Sequence, residues 1–186
     1  MKSIHLVPLA ARGLEGRLAE PGLDMLEHLA ASLVRAFRMP CQIRPDTLDV
    51  AFAFDQRRGQ YHSTAILQQL ERLSDPGARV LGVALADLYV PVLTFVFGEA
   101  QLDGACAVVS TARLDEAFYG LPGRQEMLRE RLYKTAAHEL GHTFGLRHCA
   151  DWRCVMTSSH AVERLDVKTS EFCGRCRKSV TPNGFW

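Results

Sequence analysis

Three histidines and one glutamate late in the chain have the types and spacing needed to hold and use a metal ion. His138 and His142 are four positions apart, so on a helix both imidazoles project from one face and can bind one ion. Glu139 lies beside the first histidine, where its carboxylate can accept a proton from water at the ion. Gly145 can adopt the left-handed conformation that ends a helix, which lets His148 reach the same metal. The pattern predicts a catalytic zinc site with three nitrogen ligands and one open position.

Chance is a poor explanation for this spacing. With 7 His, 14 Gly and 21 Asp plus Glu in 186 residues, random placement gives the pattern in roughly one chain in ten thousand. The alternative is an amphipathic helix with incidental surface histidines. Gly141 argues against that alternative, because glycine inside a helix costs about 1 kcal/mol and therefore indicates a packing or functional demand.

Four of the six cysteines are concentrated in the last fifth of the chain with the spacing C-x4-C-x18-C-x2-C, and they are Cys149, Cys154, Cys173 and Cys176. Two thiolate pairs at such spacing can close a tetrahedron around a structural zinc ion, leaving no position for water. Disulfides or free thiols are the alternatives, and a reducing cytoplasm disfavours disulfides. The sequence thus predicts two zinc ions per chain, one catalytic and one structural.

The remaining histidines and cysteines lack ligand spacing. We expect surface or structural roles for the histidines and burial for the cysteines; these residues are His5, His28, His62, His160, Cys41 and Cys106. A run of basic residues around the last cysteine pair, Arg175, Arg177 and Lys178, raises the alternative of a nucleic-acid-binding zinc finger. The run is short, and local cations also stabilise thiolates, so we predict no nucleic-acid partner.

The stretch from His138 to His148 matches the H-E-x-x-H-x-x-G-x-x-H signature of metzincin zinc peptidases. Cys149, the run Cys154-Val155-Met156 and the run Cys173-Gly174-Arg175-Cys176 extend the match, so that the chain resembles an archaemetzincin. Sixteen residues separate the methionine from the last cysteine pair, one fewer than in the family pattern, which a loop can absorb. Two further stretches are similar to the family, namely Arg58-x-Gln60-Tyr61 and Ser110-x-x-Arg113-Leu114.

The resemblance implies a fold, a reaction and further roles. Met156 would form the tight turn beneath the catalytic ion, although an ordinary core methionine is the alternative. Some metzincins have a tyrosine two residues after this methionine that stabilises the oxyanion, whereas this chain has Ser158. The substrate would be a peptide or protein, bound as an extended strand along an antiparallel edge strand at residues 94–97.

The sequence therefore predicts a zinc metallopeptidase with Glu139 as general base and proton shuttle. One alternative from another class is a zinc-binding module without turnover that presents a partner-binding surface. A second is a zinc hydrolase that acts on a non-peptide amide. No pattern in the sequence indicates the side-chain preference for substrates, the choice between exo- and endo-cleavage, or the oligomeric state.

The elements that must position these residues follow from apolar periodicity. A long helix is expected over residues 123–144, with a buried stripe formed by Leu128, Leu132, Ala136 and Leu140. Other helices are expected at residues 21–37 and 63–73, with a short one starting near Ser170. Strands are expected at residues 4–9, 42–54, 80–86, 94–97 and 105–110. The predicted fold class is α/β, a mixed twisted sheet covered by helices, metzincin-like, with a cysteine-rich, zinc-stabilised C-terminal segment.

Length and composition fit one soluble metallopeptidase domain over residues 1–186. Residues 1–145 would form the sheet-and-helix part, and residues 146–186 the third-ligand loop, the methionine turn and the four-cysteine segment. The net charge is +1, from 22 Lys plus Arg and 21 Asp plus Glu, which excludes binding to nucleic acid or membrane through bulk charge. The apolar stretch 81–98 contains Asp87 and Pro91, so we expect buried strands there and no membrane span. A cytoplasmic location is expected, because the N-terminus lacks the long apolar region of a signal peptide.

Overall fold

The structure is a computed structural model that describes residues 2–12 and 18–181. Its α-helices are α1 (Leu23–Phe37), α2 (Ser63–Arg72), α3 (Gln125–Thr143), α4 (Val162–Val167) and α5 (Gly174–Val180). Its strands are β1 (Ser3–Arg12), β2 (Leu18–Ala19), β3 (Cys41–Ile43), β4 (Leu48–Asp49), β5 (Phe54–Asp55), β6 (Gln60–His62), β7 (Ala78–Ala84), β8 (Leu88–Tyr89), β9 (Gly98–Ala100) and β10 (Cys106–Ser110).

The main sheet is mixed and has the order β2-β1-β7-β10-β9, with β3 and β4 pairing with β1. Strands β1, β7 and β10 run parallel, and β9 runs antiparallel along β10 at one edge. The central strands consist of almost continuous apolar residues because helices cover both faces. A separate small sheet has the order β5-β6-β8. The predicted α/β class with a mixed, helix-covered sheet is confirmed.

Alternate side chains of the strands enter two different cores. Leu6, on one face, belongs to a core shared with α1, α3 and the C-terminal segment, whereas Val7 faces a core shared with α2. The first core includes buried Val155 and Met156, so the C-terminal segment packs against the sheet-covering helices. This packing fixes α3 between the sheet and the segment that carries the cysteines.

Helix α3 also holds α4 through buried charges. The Arg131 guanidinium makes two hydrogen bonds to the Asp166 carboxylate, at 2.8 and 2.7 Å, and Lys134 donates to the carbonyl of Leu165 at 2.9 Å. Both basic side chains are nearly fully enclosed. A buried cation is tolerated only when it is paired and hydrogen-bonded, so these contacts tie α4 firmly to α3.

The sequence prediction was wrong in four places. The antiparallel edge strand is Gly98–Ala100, not 94–97, where only Val96 pairs with Leu88. The strand predicted at 42–54 is broken into β3, β4, β5 and a 3₁₀ turn at Ala51–Ala53, because Pro45 lacks an N–H and the Asp49 carboxylate accepts from the N–H of Ala51. Helix α4 was not predicted, and the last helix begins at Gly174. In the described part of the chain, no helix has the length and apolar character needed to cross a membrane.

Candidate functional site

The C-terminal end of α3 places two imidazoles side by side. His138 and His142 lie one helical turn apart, and their Nε2 atoms are 3.1 Å from each other. His138 is 8 % exposed, because the helix is covered by the sheet on one side and the C-terminal segment on the other. The four-residue spacing therefore brings both histidines to one point, as the sequence predicted.

Backbone carbonyls orient both rings. The Nδ1–H of His138 donates to the carbonyl of Val155 at 2.9 Å, and the Nδ1–H of His142 donates to that of Leu146 at 2.6 Å. A carbonyl can only accept, so the proton of each neutral ring resides on Nδ1 and the lone pair on Nε2. Burial lowers the pKa of His138 to about 3, and it also lowers the pKa values of His142 and His148. The rings are thus neutral and ready to donate lone pairs.

A left-handed glycine delivers the third histidine. Gly145 has φ of 82°, its N–H donates to the carbonyl of His142 at 2.9 Å, and the N–H of Leu146 donates to Gly141 at 3.1 Å. This pair of bonds is the usual way in which glycine closes a helix and reverses the chain. The ring of His148 then lies with its centroid 5.2 Å from each of the other two.

The donor set fits a zinc ion. One nitrogen from each of the three histidines lies within 4.8 Å of the others. Zinc–nitrogen bonds of about 2.0 Å in a tetrahedron put ligand nitrogens about 3.3 Å apart, close to the His138–His142 separation. Two lone pairs facing each other across 3.1 Å repel unless a cation lies between them, so the arrangement suits a metal.

Glu139 lies beside these rings and is 8 % exposed. Burial raises its pKa to about 8, while the positive charge of Lys168 acts in the opposite direction. The edge strand approaches closely here, since a Cβ on Gly98 would be 2.7 Å from the Glu139 Cγ. Only glycine at this edge position leaves room for the carboxyl side chain.

Met156 packs against α3 at Gly141 and is fully buried. A Cβ on Gly141 would collide with the Met156 sulfur, which explains the glycine inside the helix. Lys168 fixes the same turn from the other side, where its Nζ donates to the carbonyls of Val155 at 2.8 Å and Thr157 at 3.0 Å. One carbonyl, that of Val155, therefore receives hydrogen bonds from both a histidine and a lysine.

A second cluster joins the four C-terminal cysteines, Cys149, Cys154, Cys173 and Cys176, whose sulfur atoms all lie within 4.8 Å of one another. Zinc–sulfur bonds of about 2.3 Å imply sulfur separations of about 3.8 Å, and the Cys149 and Cys173 sulfurs are 3.9 Å apart. All six cysteines are free thiols in the described structure. Hydrogen bonding from the Cys176 backbone lowers the pKa of Cys173 to about 7, which favours the thiolate that a metal needs.

His138, Glu139 and His148 line a cleft of about 320 Å³. Residues 93–98 form one wall, and Ser158, Ser159, His160, Leu165 and Lys168 contribute to the lining opposite. Lys168 carries no motif and was not predicted, and His160 was predicted to be a surface or structural residue. The role of Gly98 was not predicted either, since that role depends on how closely β9 approaches α3.

A zinc metallopeptidase of the metzincin type is the class of protein that this fold and family resemblance define. The model of peptidase family M54 matches residues 29–181, so the chain belongs to that family. The chain is 40 % identical to the archaemetzincin of Methanocaldococcus jannaschii over 163 residues, covering 88 % of this chain and 89 % of the relative.

Solved structures agree with this assignment. The archaemetzincin of Archaeoglobus fulgidus, crystallised with malonate, superposes with a TM-score of 0.76 at 35 % identity, covering 97 % of this chain and 100 % of that one. A zinc-dependent peptidase from Methanocorpusculum labreanum superposes with a TM-score of 0.82 at 29 % identity, covering 95 % and 99 %. The fold expected from the resemblance is thereby confirmed.

Proposed function

We propose that the chain hydrolyses peptide bonds with a zinc ion held by His138, His142 and His148 and with Glu139 as general base. The observation that carries this proposal is the convergence of three neutral imidazoles next to one buried carboxyl group in the wall of a cleft. Zinc at such a site supplies Lewis acidity to the scissile carbonyl and to the attacking water.

The chain's own groups move the proton. Glu139 is positioned by Gly98 and by its place on α3 to take a proton from the attacking water and to pass it to the leaving amine. The charge of Lys168 favours the carboxylate form that can accept this proton. The cleft wall at residues 93–98 would bind the substrate in an extended conformation, with the antiparallel strand β9 continuing it.

We further propose that Cys149, Cys154, Cys173 and Cys176 hold a second, structural zinc ion. Four thiolates fill a tetrahedral shell, so this ion would have no place for water or substrate. Free thiols suit a reducing compartment, which supports a cytoplasmic location. Membership of a peptidase family supports peptide or protein substrates. One hydrophobic core contains side chains from residues 1–145 and from the C-terminal residues 146–181. This shared core supports one metallopeptidase domain.

Hydrolysis of a mixed peptide library by purified protein tests the first proposal. Glu139→Gln keeps the side-chain shape but cannot accept a proton, so we expect kcat to fall by roughly three orders of magnitude or more while zinc content persists. Glu126→Gln is a matched control, since Glu126 lies exposed in the first turn of the same helix. Retained turnover in the Glu139 variant would refute the assigned role. Cleavage of non-peptide amides alone would point to a different hydrolase.

A further inference from the structure

The cleft wall is held in place by a polar network that lies outside the metal site. Residues 93–97 form no regular strand. Their backbone bonds are one bridge, in which the N–H of Val96 donates to the carbonyl of Leu88 at 2.9 Å, a bond from the N–H of Ser110 to the carbonyl of Phe97 at 2.9 Å, and a local turn from the N–H of Leu93 to the carbonyl of Val90 at 3.0 Å. Val92, just before the wall, is 89 % exposed. A segment with so little backbone pairing needs other contacts to keep one conformation.

Arg58 and Gln60 provide those contacts. The Arg58 guanidinium donates through Nη2 to the carbonyls of Leu93 at 2.8 Å and Thr94 at 3.0 Å. The Gln60 amide donates to the same Thr94 carbonyl at 3.0 Å, and its oxygen accepts from Arg58 Nε at 2.9 Å. Two side chains, one from the turn before β6 and one from β6 itself, thus donate hydrogen bonds to two successive carbonyls of the wall.

Asp87 and Arg113 in turn hold Gln60 in position. The Gln60 amide also donates to Asp87 at 2.8 Å, and Asp87 receives two hydrogen bonds from the Arg113 guanidinium, at 2.8 and 2.7 Å. Paired bonds of this kind between arginine and carboxylate fix orientation as well as distance. Asp87 and Arg113 are mostly shielded from solvent, which limits screening of the pair.

Arg113 also reaches the wall through its side chain. Its guanidinium lies between two aromatic rings, 4.2 Å from the Phe95 centroid and 4.7 Å from the Phe118 centroid. Phe95 lines the cleft. Stacking of a guanidinium on an aromatic face is favourable and directional. The network therefore contacts the wall through the Phe95 ring as well as through the two backbone carbonyls.

The hydrogen bonds of Arg58 and Gln60 end just before Phe95. They occupy the carbonyls of Leu93 and Thr94, the two residues that precede it. Within the described part of the chain, neither the N–H nor the C=O of Phe95 makes a backbone hydrogen bond. These are the groups that an extended peptide would use.

We propose that Arg58, Gln60, Asp87 and Arg113 are positioning residues that hold the peptide-binding wall in its binding conformation. This inference rests on the proposed peptidase function. The network touches neither the histidines nor Glu139, so its loss acts on peptide binding more than on the chemical step. A contact between substrate and wall that is equally strong in the ground state and in the transition state affects KM. Its loss raises KM with little effect on kcat.

The test compares two zinc-binding probes. Acetohydroxamate is too small to use the wall, whereas an N-acetyl-dipeptide hydroxamate extends along it. In Arg58→Ala we expect the inhibition constant of the peptide probe and the KM for peptide substrate to rise about tenfold, with acetohydroxamate unchanged. Arg58→Lys keeps the charge but not the fork that reaches two carbonyls, and should recover part of the loss.

Arg44→Ala is the control, because Arg44 is a partly exposed arginine that pairs with Asp75 at 2.9 Å and does not line the cleft. Gln60→Met removes the amide donors at similar length and serves if Arg58→Ala fails to fold. Equal weakening of both probes, or no weakening of either, would overturn the proposal. If the wild type cleaves no peptide while the probes still separate, the proposed function fails and the positioning role stands.

Discussion

At Glu139, burial and charge act in opposite directions. Desolvation raises the pKa to about 8, and the buried ammonium of Lys168 opposes that rise. A carboxyl group in this environment is protonated at neutral pH when no metal is bound, whereas a divalent cation beside it favours the ionised form. The carboxyl group is therefore suited to the proposed metal-loaded site.

This environment makes the stability of the metal-free protein depend on pH. With a pKa of about 8 in the folded state against an ordinary value of 4.5, the group contributes stability below about pH 4.5 that is lost as pH rises through 8. Glu139→Gln cannot ionise, so after mild chelation the variant should become more stable than wild type by a few kcal/mol as pH rises from about 4.5 to 8. Melting temperatures across that range check the sign, and a constant difference would contradict it.

Gly98 gives a second prediction at the residue scale. A Cβ there would meet the Val108 carbonyl at 2.6 Å and the Glu139 Cγ at 2.7 Å, distances that force something to move. Gly98→Ala should displace the carboxyl group or the edge strand and lower kcat/KM by about a hundredfold with zinc retained. Gly22→Ala is the control, because nothing lies within 4 Å of its added Cβ. Normal kcat/KM in Gly98→Ala would show that the contact is readily relieved.

The active-site helix and the methionine turn are fitted to each other at Gly141. Alanine in place of glycine favours a helix by about 1 kcal/mol. At this position the added methyl group would collide with the Met156 sulfur, so the structural cost exceeds the gain in propensity.

Gly141→Ala should therefore lower both the melting temperature and the affinity for zinc at the histidine site. The double variant Gly141→Ala with Met156→Leu removes the colliding sulfur and should recover part of the stability lost by the single variant. Thermal melts and competition with a fluorescent zinc chelator measure both effects. A more stable single variant would mean that propensity outweighs the contact.

Helix α3 and the proximity of its two histidines could be predicted from sequence because a 3.6-residue period and a four-residue histidine spacing are local properties. The prediction over 123–144 agrees closely with Gln125–Thr143. The conformation of the cleft wall at residues 93–98, where a strand was expected over 94–97, could not be predicted in this way. Its conformation depends on Arg58 and Gln60, more than thirty residues away, which take the carbonyls that a strand would have used. Lys168 was missed for a different reason, since its partners are the backbone carbonyls of Val155 and Thr157, which carry no side-chain pattern that could be read from the sequence.

On the scale of the whole molecule, the two clusters are linked through one short stretch of chain. Cys149 directly follows His148, and its N–H donates to the carbonyl of Met156 at 3.0 Å. Val155 lies between Cys154 and Met156, and its carbonyl orients His138. The cysteine cluster therefore anchors both the third-ligand loop and the methionine turn.

Two disjoint ligand sets predict two zinc ions per chain. Elemental analysis of protein purified without added metal should approach this ratio, because neither set borrows a ligand from the other. Cys173→Ser should reduce the content toward one ion or less. A stable wild-type chain with a single zinc would remove the structural-site proposal.

The two ions should also leave in a fixed order. The histidine site opens into the cleft, so a chelator can reach it and acid can protonate its imidazoles. The cysteine site is enclosed by four sulfurs and closes the segment from Cys149 to Cys176. Mild chelation should abolish hydrolysis reversibly with little change in melting temperature, whereas harsh chelation should lower both. Following zinc content, activity and melting temperature together along one chelator titration checks this order. If the melting temperature collapses with the first zinc lost, then the ion that supports catalysis is also the one that holds the fold, and the division between the sites is wrong.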